Sequence, residues 1–100
     1  MLGEVGRKIV NTTDAPRAVG PYSQAVISGN FIFTAGQLGL DPVAGKIVPN
    51  DFEQQVRQVM RNLKAILQAA GSDLKNVVKF TVFVTDLDNF GLLNQVFGEY

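Results

Sequence analysis

The spacing of apolar residues changes several times along the chain, and the first change marks a pair of strands. Two short runs rich in β-branched and aromatic residues, 25–27 and 31–35, flank Ser28, Gly29 and Asn30. Such runs favour extended backbone, and a Ser-Gly-Asn turn supplies the positive φ that a three-residue hairpin loop needs. The pattern therefore predicts an antiparallel hairpin over 25–35.

A helical period follows the hairpin. The stretch between them, 39–49, contains Asp-Pro and Ala-Gly pairs typical of turns, which predicts a loop with a short extended piece at 46–48. Asn50 is predicted to cap a helix, with Glu53 reaching back to it, and Gly71 is predicted to end that helix. Apolar residues recur at helical spacing between these ends: Phe52, Val56, Val59, Met60, Leu63, Ile66, Leu67 and Ala70.

The last third of the chain predicts a strand and a second helix. From 77 to 85 the sequence VVKFTVFVT alternates and gives one apolar face, formed by Val78, Phe80, Val82 and Val84. Asp88 is predicted to cap the second helix, whose apolar positions are Phe90, Leu93, Phe97 and Tyr100. Because this helical pattern is still running at Tyr100, we expect the sequence to stop within the helix and the chain to be incomplete after that residue.

The order of hairpin, helix, strand and helix predicts one α+β domain over 1–100, with two helices packed on one face of a sheet. Phe31, Ile32 and Phe33 place apolar side chains on both faces of their strand. The sheet face away from the helices is therefore predicted to be apolar. Other copies of the chain are the simplest cover for such a face, so we expect a cyclic oligomer.

The composition of the chain excludes several kinds of binding and catalytic chemistry. The chain has nine Lys and Arg, nine Asp and Glu, and neither Cys nor His. Balanced charge argues against a protein whose main task is binding nucleic acid, since phosphate binding depends on an excess of basic residues. Without Cys and His the chain cannot form a thiolate nucleophile, an imidazole base or a Ser-His-Asp triad, and we predict no metal site.

The same sequence carries no sign of a membrane or secreted protein. No apolar run approaches the roughly 18 residues of a membrane span, and residues 1–10 lack the apolar stretch of a signal peptide. We therefore expect a soluble intracellular protein, most simply cytoplasmic, with a mitochondrial or nuclear location as alternatives.

Several short motifs occur in a specific order. They are GPYSQA at 20–25, TAGQ at 34–37, Gln55 and Asn62 in the first helix, AAG at 69–71, and VVKFTVFVTDLDNF followed by Asn94. Each motif alone occurs by chance in many proteins, but together they resemble the RidA/YjgF family. These are the reactive intermediate deaminases, or 2-iminobutanoate/2-iminopropanoate deaminases, whose relatives include perchloric-acid-soluble proteins and translation-inhibiting endoribonucleases. The resemblance runs from about Val10 to Tyr100.

The resemblance implies a fold, an assembly and an activity. The fold would be a chorismate-mutase-like, YjgF-type α+β sheet with two helices on one face, whose last strands would follow Tyr100. The assembly would be a homotrimer with clefts between subunits. The activity would be hydrolysis of 2-imino acids to 2-oxo acids and ammonia, which protects pyridoxal-phosphate enzymes and uses no cofactor. An imine already hydrolyses in water, so positioning, a carboxylate clamp and an activated water suffice.

The resemblance also implies a set of substrate-binding residues: Tyr22, Ala35, Gly36, Phe90 and Asn94. The family often has Ser where this chain has Ala35, so a hydroxyl contact is lost and substrate preference is expected to differ. The carboxylate-binding Arg and the water-orienting Glu of the family would lie after Tyr100, so no catalytic residue is assigned within the chain.

The residues themselves leave structural alternatives open. Tyr22 could steady its own turn as a partly buried aromatic, and Phe90 could belong to the apolar stripe of the second helix. Asn94 could be a solvated polar position, Gly20 and Gly36 could be purely conformational, and Gln37 could satisfy backbone groups. The basic residues of the first helix are expected to form a solvated face without function: Arg57, Arg61 and Lys64.

Two other functions compete with deamination. A small-molecule-binding regulatory module could hold 2-oxo or amino acids in the same cleft without turnover, and it would bind without releasing ammonia. An endoribonuclease, as ascribed to some relatives, ranks last, because a chain without His has few groups suited to acid-base work on a ribose hydroxyl.

Overall fold

The sheet has three antiparallel strands. The computed structural model of the chain describes residues 6–49 and 51–100, and its strands are β1 (Arg7–Val10), β2 (Ala25–Ser28) and β3 (Phe31–Thr34). They lie in the order β1, β2, β3, so β2 is central. The sequence pattern did not predict β1, because its four residues, RKIV, are too few to show a period.

The predicted hairpin is confirmed, but its loop is shorter than expected. Ser28 pairs with Phe31, so the loop contains only Gly29 and Asn30. Gly29 has a φ of +59°, and no residue other than glycine has a positive φ among the described residues. A glycine with positive φ before a residue with negative φ is the pattern of a type II′ turn, whose twist matches that of the strands. The three-residue loop was wrong because Ser28 extends the ladder.

The predicted loop after the hairpin is also confirmed and is itself held by hydrogen bonds. Leu40 and Ile47 form an isolated antiparallel bridge, and the Val48 N–H donates to the Gly39 carbonyl at 2.9 Å. The Asp41 carboxylate accepts the N–H groups of the residues two and three positions on, at 2.8 and 2.9 Å. This carboxylate turn makes the loop compact.

The first helix, α1, spans Phe52–Ala69. Asp51 caps it, because its carboxylate accepts the N–H groups of Glu53 at 3.0 Å and Gln54 at 3.4 Å. The predicted cap, Asn50, lies outside the described residues.

The C-terminus of α1 ends as predicted at Gly71, which has a φ of +86°. Its N–H donates to the Gln68 carbonyl at 3.0 Å, and the Ser72 N–H donates to the Leu67 carbonyl at 2.8 Å. These two bonds define a Schellman motif, in which the left-handed glycine lets the chain satisfy the last carbonyls and turn away.

The first of two hydrophobic clusters lies between the sheet and α1. The strands place alternate residues on this face, and they pack against Ile66 of the helix. The cluster consists of Val10, Ala15, Ala25 and Ile66, with Ile27, Ile32, Ala65 and Ala70 packed around it. The opposite sheet face carries Ile9, Phe31 and Phe33, all exposed, which confirms the predicted apolar outer face.

The second helix, α2, spans Phe90–Phe97 and packs on α1 through a second cluster of Val56, Leu93 and Val96. A 3-10 turn, Leu87–Asn89, precedes it, and Asp86 caps that turn by accepting the Asp88 N–H at 2.9 Å. The predicted cap, Asp88, is therefore wrong: the 3-10 turn moves the start of the helical segment two residues earlier.

The helix ends at Phe97 and not beyond Tyr100 as the apolar period indicated. Gly98 forms its C-cap, and the N–H of Tyr100 donates to the Phe97 carbonyl at 3.1 Å, three residues back. The residues after Phe97 therefore continue the turn in i to i+3 bonds.

The predicted strand over 77–85 is absent from the described sheet. These residues have no strand partner among residues 6–49 and 51–100, and an extended segment becomes a strand only when a neighbour supplies backbone hydrogen bonds. Their alternation nevertheless survives in part. Phe80 packs against Phe97, with ring centroids 5.7 Å apart, and Val84 packs on the second cluster, whereas Phe83 points to solvent.

Arg57 ties the two helices together. Its Nε donates to Glu53 one turn earlier in α1 at 2.9 Å, and its Nη1 donates to Glu99 just after α2. These bonds raise the pKa of Arg57, the Glu99 bond having the larger effect, and the Arg57 bond lowers the pKa of Glu99. The prediction that Arg57 belongs only to a solvated face is wrong, because the sequence does not show that Glu99 lies beside α1.

Candidate functional site

The open end of the hairpin brings two of the motifs together. The chain enters β2 through 20–24 and leaves β3 through 35–37. The Ala35 N–H donates to the Gln24 carbonyl at 2.9 Å, one step beyond the last ladder pair. Tyr22, Ala35 and Gly36, three of the five predicted binding residues, therefore belong to segments that meet at one edge of the sheet.

Tyr22 lies on a tight turn with its ring half exposed. Its N–H donates to the Gly20 carbonyl at 2.8 Å, and its hydroxyl accepts the Val19 N–H at 3.4 Å. A Cβ on Gly20 would stand 3.3 Å from the ring carbon Cε2 of Tyr22. The ring thus steadies its own turn, as the structural alternative had it, and still presents a face to solvent.

The backbone at 35–37 is open on one side. Gln37 folds back so that its Nε2 donates to the carbonyls of Ala35 at 3.4 Å and Gly36 at 3.2 Å, which confirms that its amide satisfies backbone groups. A Cβ on Gly36 would meet no atom within 4 Å. This open space lets another molecule approach the Gly36 backbone closely.

Phe90 and Asn94 form a second group, away from the hairpin end. Both are exposed and lie one turn apart on α2. Phe90 is 54% exposed, so the alternative that it packs in the core is wrong; Leu93 and Val96 form that core instead. Within the described part of the chain, α2 packs mainly on α1 and on the preceding 3-10 turn, without extensive contact with any strand.

A groove of about 1050 Å³ runs beside the hairpin end. Segments 11–19 and 40–45 form its two walls, and none of the five predicted binding residues lines it. Thr12, Thr13 and Arg17 are among the polar residues of one wall. Leu40, Pro42 and residues 43–45 form the other wall. Asp41 lies in the same loop, and the N–H groups of Ala44 and Val43 that its carboxylate accepts lower its pKa.

Two buried carboxamides support these segments, and sequence reasoning assigned neither of them a role. Gln24, 2% exposed, contacts the 12–16 segment, and Asn62, fully buried, donates from Nδ2 to the Leu38 carbonyl at 3.1 Å and the Leu40 carbonyl at 2.9 Å. The Asn62 Oδ1 accepts from Gln58 Nε2 at 2.8 Å. A signal for Asn62 existed: it lies four residues before Ile66, on the apolar side of α1, where a polar residue must find hydrogen-bond partners.

Among residues 6–49 and 51–100, no helix combines the length and the apolar surface that a membrane span requires. In the same residues no three carboxylates lie close enough together to hold a metal ion.

A three-stranded sheet with α1 packed on it and α2 packed on α1 is the α+β fold of the RidA/YjgF proteins. The chain belongs to the family described as endoribonuclease L-PSP, which matches residues 12–100. The resemblance inferred from the motifs is thereby confirmed.

Named relatives agree with this assignment. A RutC family protein of Pyrococcus horikoshii is 48% identical over 94% of this chain and 75% of its own length. The 2-iminobutanoate/2-iminopropanoate deaminase of Mus musculus is 44% identical over 99% of this chain and 73% of that protein, and the one of Homo sapiens is 40% identical over 94% and 69%.

Solved structures show the same fold. RidA from an Antarctic Psychrobacter species has a TM-score of 0.89 and 48% identity, covering 92% of this chain and 74% of that one. E. coli TdcF with bound serine has a TM-score of 0.88 and 43% identity, covering 92% and 72%.

Proposed function

We propose that the protein hydrolyses reactive 2-imino acids, such as 2-iminopropanoate and 2-iminobutanoate, to 2-oxo acids and ammonia. The observation that carries the proposal is the junction of the 20–24 and 35–37 segments at the open end of the hairpin. It occurs in a chain 40–46% identical to mammalian proteins that are named for this activity.

The reaction requires few catalytic side chains. Water adds to the imine carbon, and the resulting carbinolamine expels its nitrogen as ammonia while the C=O bond forms. In this proposal Tyr22 supplies an aromatic wall and hydroxyl, and the open backbone at Gly36 contacts the substrate. By family resemblance, the carboxylate-binding Arg and the water-orienting Glu would come from residues after Tyr100.

We infer that the site is completed in a homotrimer. Phe90 and Asn94 lie on α2, which within the described part of the chain packs mainly on α1 and on the 3-10 turn before it. A neighbouring subunit could supply them across a cleft, and the exposed Ile9, Phe31 and Phe33 would then be covered by other copies. The cytoplasmic location expected from the sequence stays a prediction, which fractionation of the native cells would test.

The test is an assay on imine made in situ. An amino-acid oxidase converts 2-aminobutanoate to 2-iminobutanoate, and release of 2-oxobutanoate and ammonia is followed with and without the protein. We expect release faster than in buffer, and a decrease of roughly tenfold or more in kcat/KM for Tyr22→Ala. Gln54→Ala, an exposed substitution on α1, is the matched control and should keep full activity. Release no faster than in buffer would contradict the proposal.

A binding module without turnover is the second candidate. The relative TdcF, 43% identical, was solved with bound serine, which supports a pocket for small amino or oxo acids. Calorimetry with serine and 2-oxobutanoate, run beside the assay, separates the two: binding without ammonia release indicates a regulatory module.

A further inference from the structure

The side chain of Gln24 makes four hydrogen bonds to one loop. Its Oε1 accepts the Thr12 N–H at 2.7 Å, and its Nε2 donates to the carbonyls of Thr12 at 3.0 Å, Ala15 at 3.3 Å and Pro16 at 2.9 Å. The residue is 2% exposed. Because water does not reach it, these bonds have no ready replacement when the side chain is changed.

These contacts fix both ends of the segment that carries Tyr22. The Gln24 carboxamide binds Pro16, and the chain then runs through residues 17–23 back to Gln24 itself. Gln24 therefore holds both ends of this short segment. Within this segment the hydrogen bonds of Tyr22 are local, to Gly20 and Val19. The position of the aromatic ring therefore depends on where Gln24 holds Pro16.

The backbone of Gln24 fixes the other side of the site. Its carbonyl accepts the Ala35 N–H at 2.9 Å, next to Gly36. One residue thus joins the Tyr22 segment, through its side chain, to the Ala35 segment, through its main chain.

We propose that Gln24 is a positioning residue of the substrate site, which sets the separation between Tyr22 and the backbone at 35–36. The inference rests on the proposed function, since it assigns these segments to one pocket. It adds a residue that touches no substrate. The buried carboxamide of Gln24 keeps the ring of Tyr22 at a fixed distance from the backbone at 35–36.

The experiment compares two variants in the full chain. Gln24→Met keeps length and volume but loses all four bonds. Gln24→Glu keeps the oxygen that accepts the Thr12 N–H and replaces the donating NH₂ by an acceptor that faces three carbonyls. Gln68→Met makes the first substitution at an exposed position of α1 and is the matched control. Amide hydrogen exchange by NMR and the kcat and KM for 2-iminobutanoate are measured for each.

A positioning role predicts a local effect. Exchange at the Thr12, Val19 and Tyr22 amides should rise roughly tenfold or more in Gln24→Met while the amides of α1 stay protected. For each folded molecule, kcat/KM should fall on the order of 100-fold in both variants, chiefly through KM, because a displaced ring misaligns the substrate. Gln24→Glu should keep part of the protection at Thr12, and Gln68→Met should match the wild type.

Two results would overturn the proposal. One is a uniform rise of exchange across the chain with an unchanged kcat/KM of the folded fraction, which indicates a purely structural role. The other is unchanged exchange over 12–22 in Gln24→Met. If the wild type does not hydrolyse imines, the proposed function fails, and binding of 2-oxobutanoate replaces kinetics: weaker binding with local exchange supports positioning by Gln24, and unchanged binding refutes it.

Discussion

The absence of a Cβ at Gly20 leaves room for the ring of Tyr22. The sequence left a purely conformational role open for this glycine, yet its φ lies outside the left-handed region, and the constraint is steric. An added Cβ at 3.3 Å from a ring carbon is tighter than an ordinary contact, and the ring would have to move. Glycine is therefore needed at position 20 because a larger residue would displace the ring of Tyr22.

Gly20→Ala should consequently impair the site more than the fold. The ring of Tyr22 shifts by a few tenths of an ångström, so we expect kcat/KM for imine hydrolysis to fall about tenfold while the free energy of unfolding changes by less than about 1 kcal/mol. Gly6→Ala is the control, because a Cβ there meets no atom within 4 Å. Steady-state kinetics and urea unfolding measure both quantities, and equal activity of the two variants would rule out this steric role.

The sequence located part of the site and missed what holds it in place. Tyr22, Ala35 and Gly36 come together because a hairpin necessarily joins the residues that flank its open end. The partners of Gln24 lie 8 to 12 residues away along an irregular loop, and no period reveals such contacts. How Phe90 relates to the hairpin end cannot be read from one chain at all if it depends on a neighbouring subunit.

At the scale of elements, the local patterns and the pairing within the hairpin were predicted correctly, whereas contacts between segments distant in sequence were not. Helix α1 followed its apolar period, and its cap at Gly71 followed from the residue type, because both depend on neighbours within one turn. The segment 77–85 has equally clear alternation but no described partner, since pairing is a property of two segments. The Arg57 link between α1 and the end of α2 is likewise invisible until the helices are packed.

This link predicts a dependence of stability on pH. The Glu99 pKa is lowered in the folded chain, mainly by the Arg57 hydrogen bond, so the contribution is fully present above the ordinary pKa of 4.5 and is lost as the pH falls through the folded-state value. Glu99→Gln should lower Tm by at most a few degrees at pH 7, because the pair is partly solvated. The difference from wild type should vanish in acid.

A second background isolates the pair. In Arg57→Gln protein, Glu99→Gln should change Tm equally at every pH, because no guanidinium remains to favour the ionised carboxylate. Thermal unfolding by circular dichroism from pH 7 to pH 3 gives all four curves. The same acid-dependent difference in both backgrounds would show that Arg57 is not the cause.

At the scale of the whole molecule, the outer sheet face is the dominant surface feature. Cross-strand pairing puts Ile9, Val26 and Phe33 in one row, next to Phe31, and the two rings lie 6.3 Å apart. Phe33 is 64% exposed although an aromatic side chain gains much by burial. The face is the strongest support within one chain for the proposed trimer.

A charge on this face should therefore change assembly without unfolding the chain. We expect Phe33→Glu to convert the trimer to a monomer and, because the site is proposed to lie between subunits, to lower imine hydrolysis at least tenfold. Val43→Glu, at an exposed loop valine, is the control and should remain trimeric. Sedimentation velocity gives the mass, and a wild-type monomer, or a Phe33→Glu trimer, would refute the assignment of this face.

The segment 77–85, which has no strand partner among residues 6–49 and 51–100, has a consequence for aggregation. Its nine residues, VVKFTVFVT, combine β-branched and aromatic side chains, contain neither Pro nor Gly, and carry one charge, on Lys79. Such a segment is a template for cross-β stacking whenever its backbone is left free, and a lone lysine is the only gatekeeper against it. In concentrated solution, the tendency to aggregate would then depend on how well the backbone of this segment stays covered.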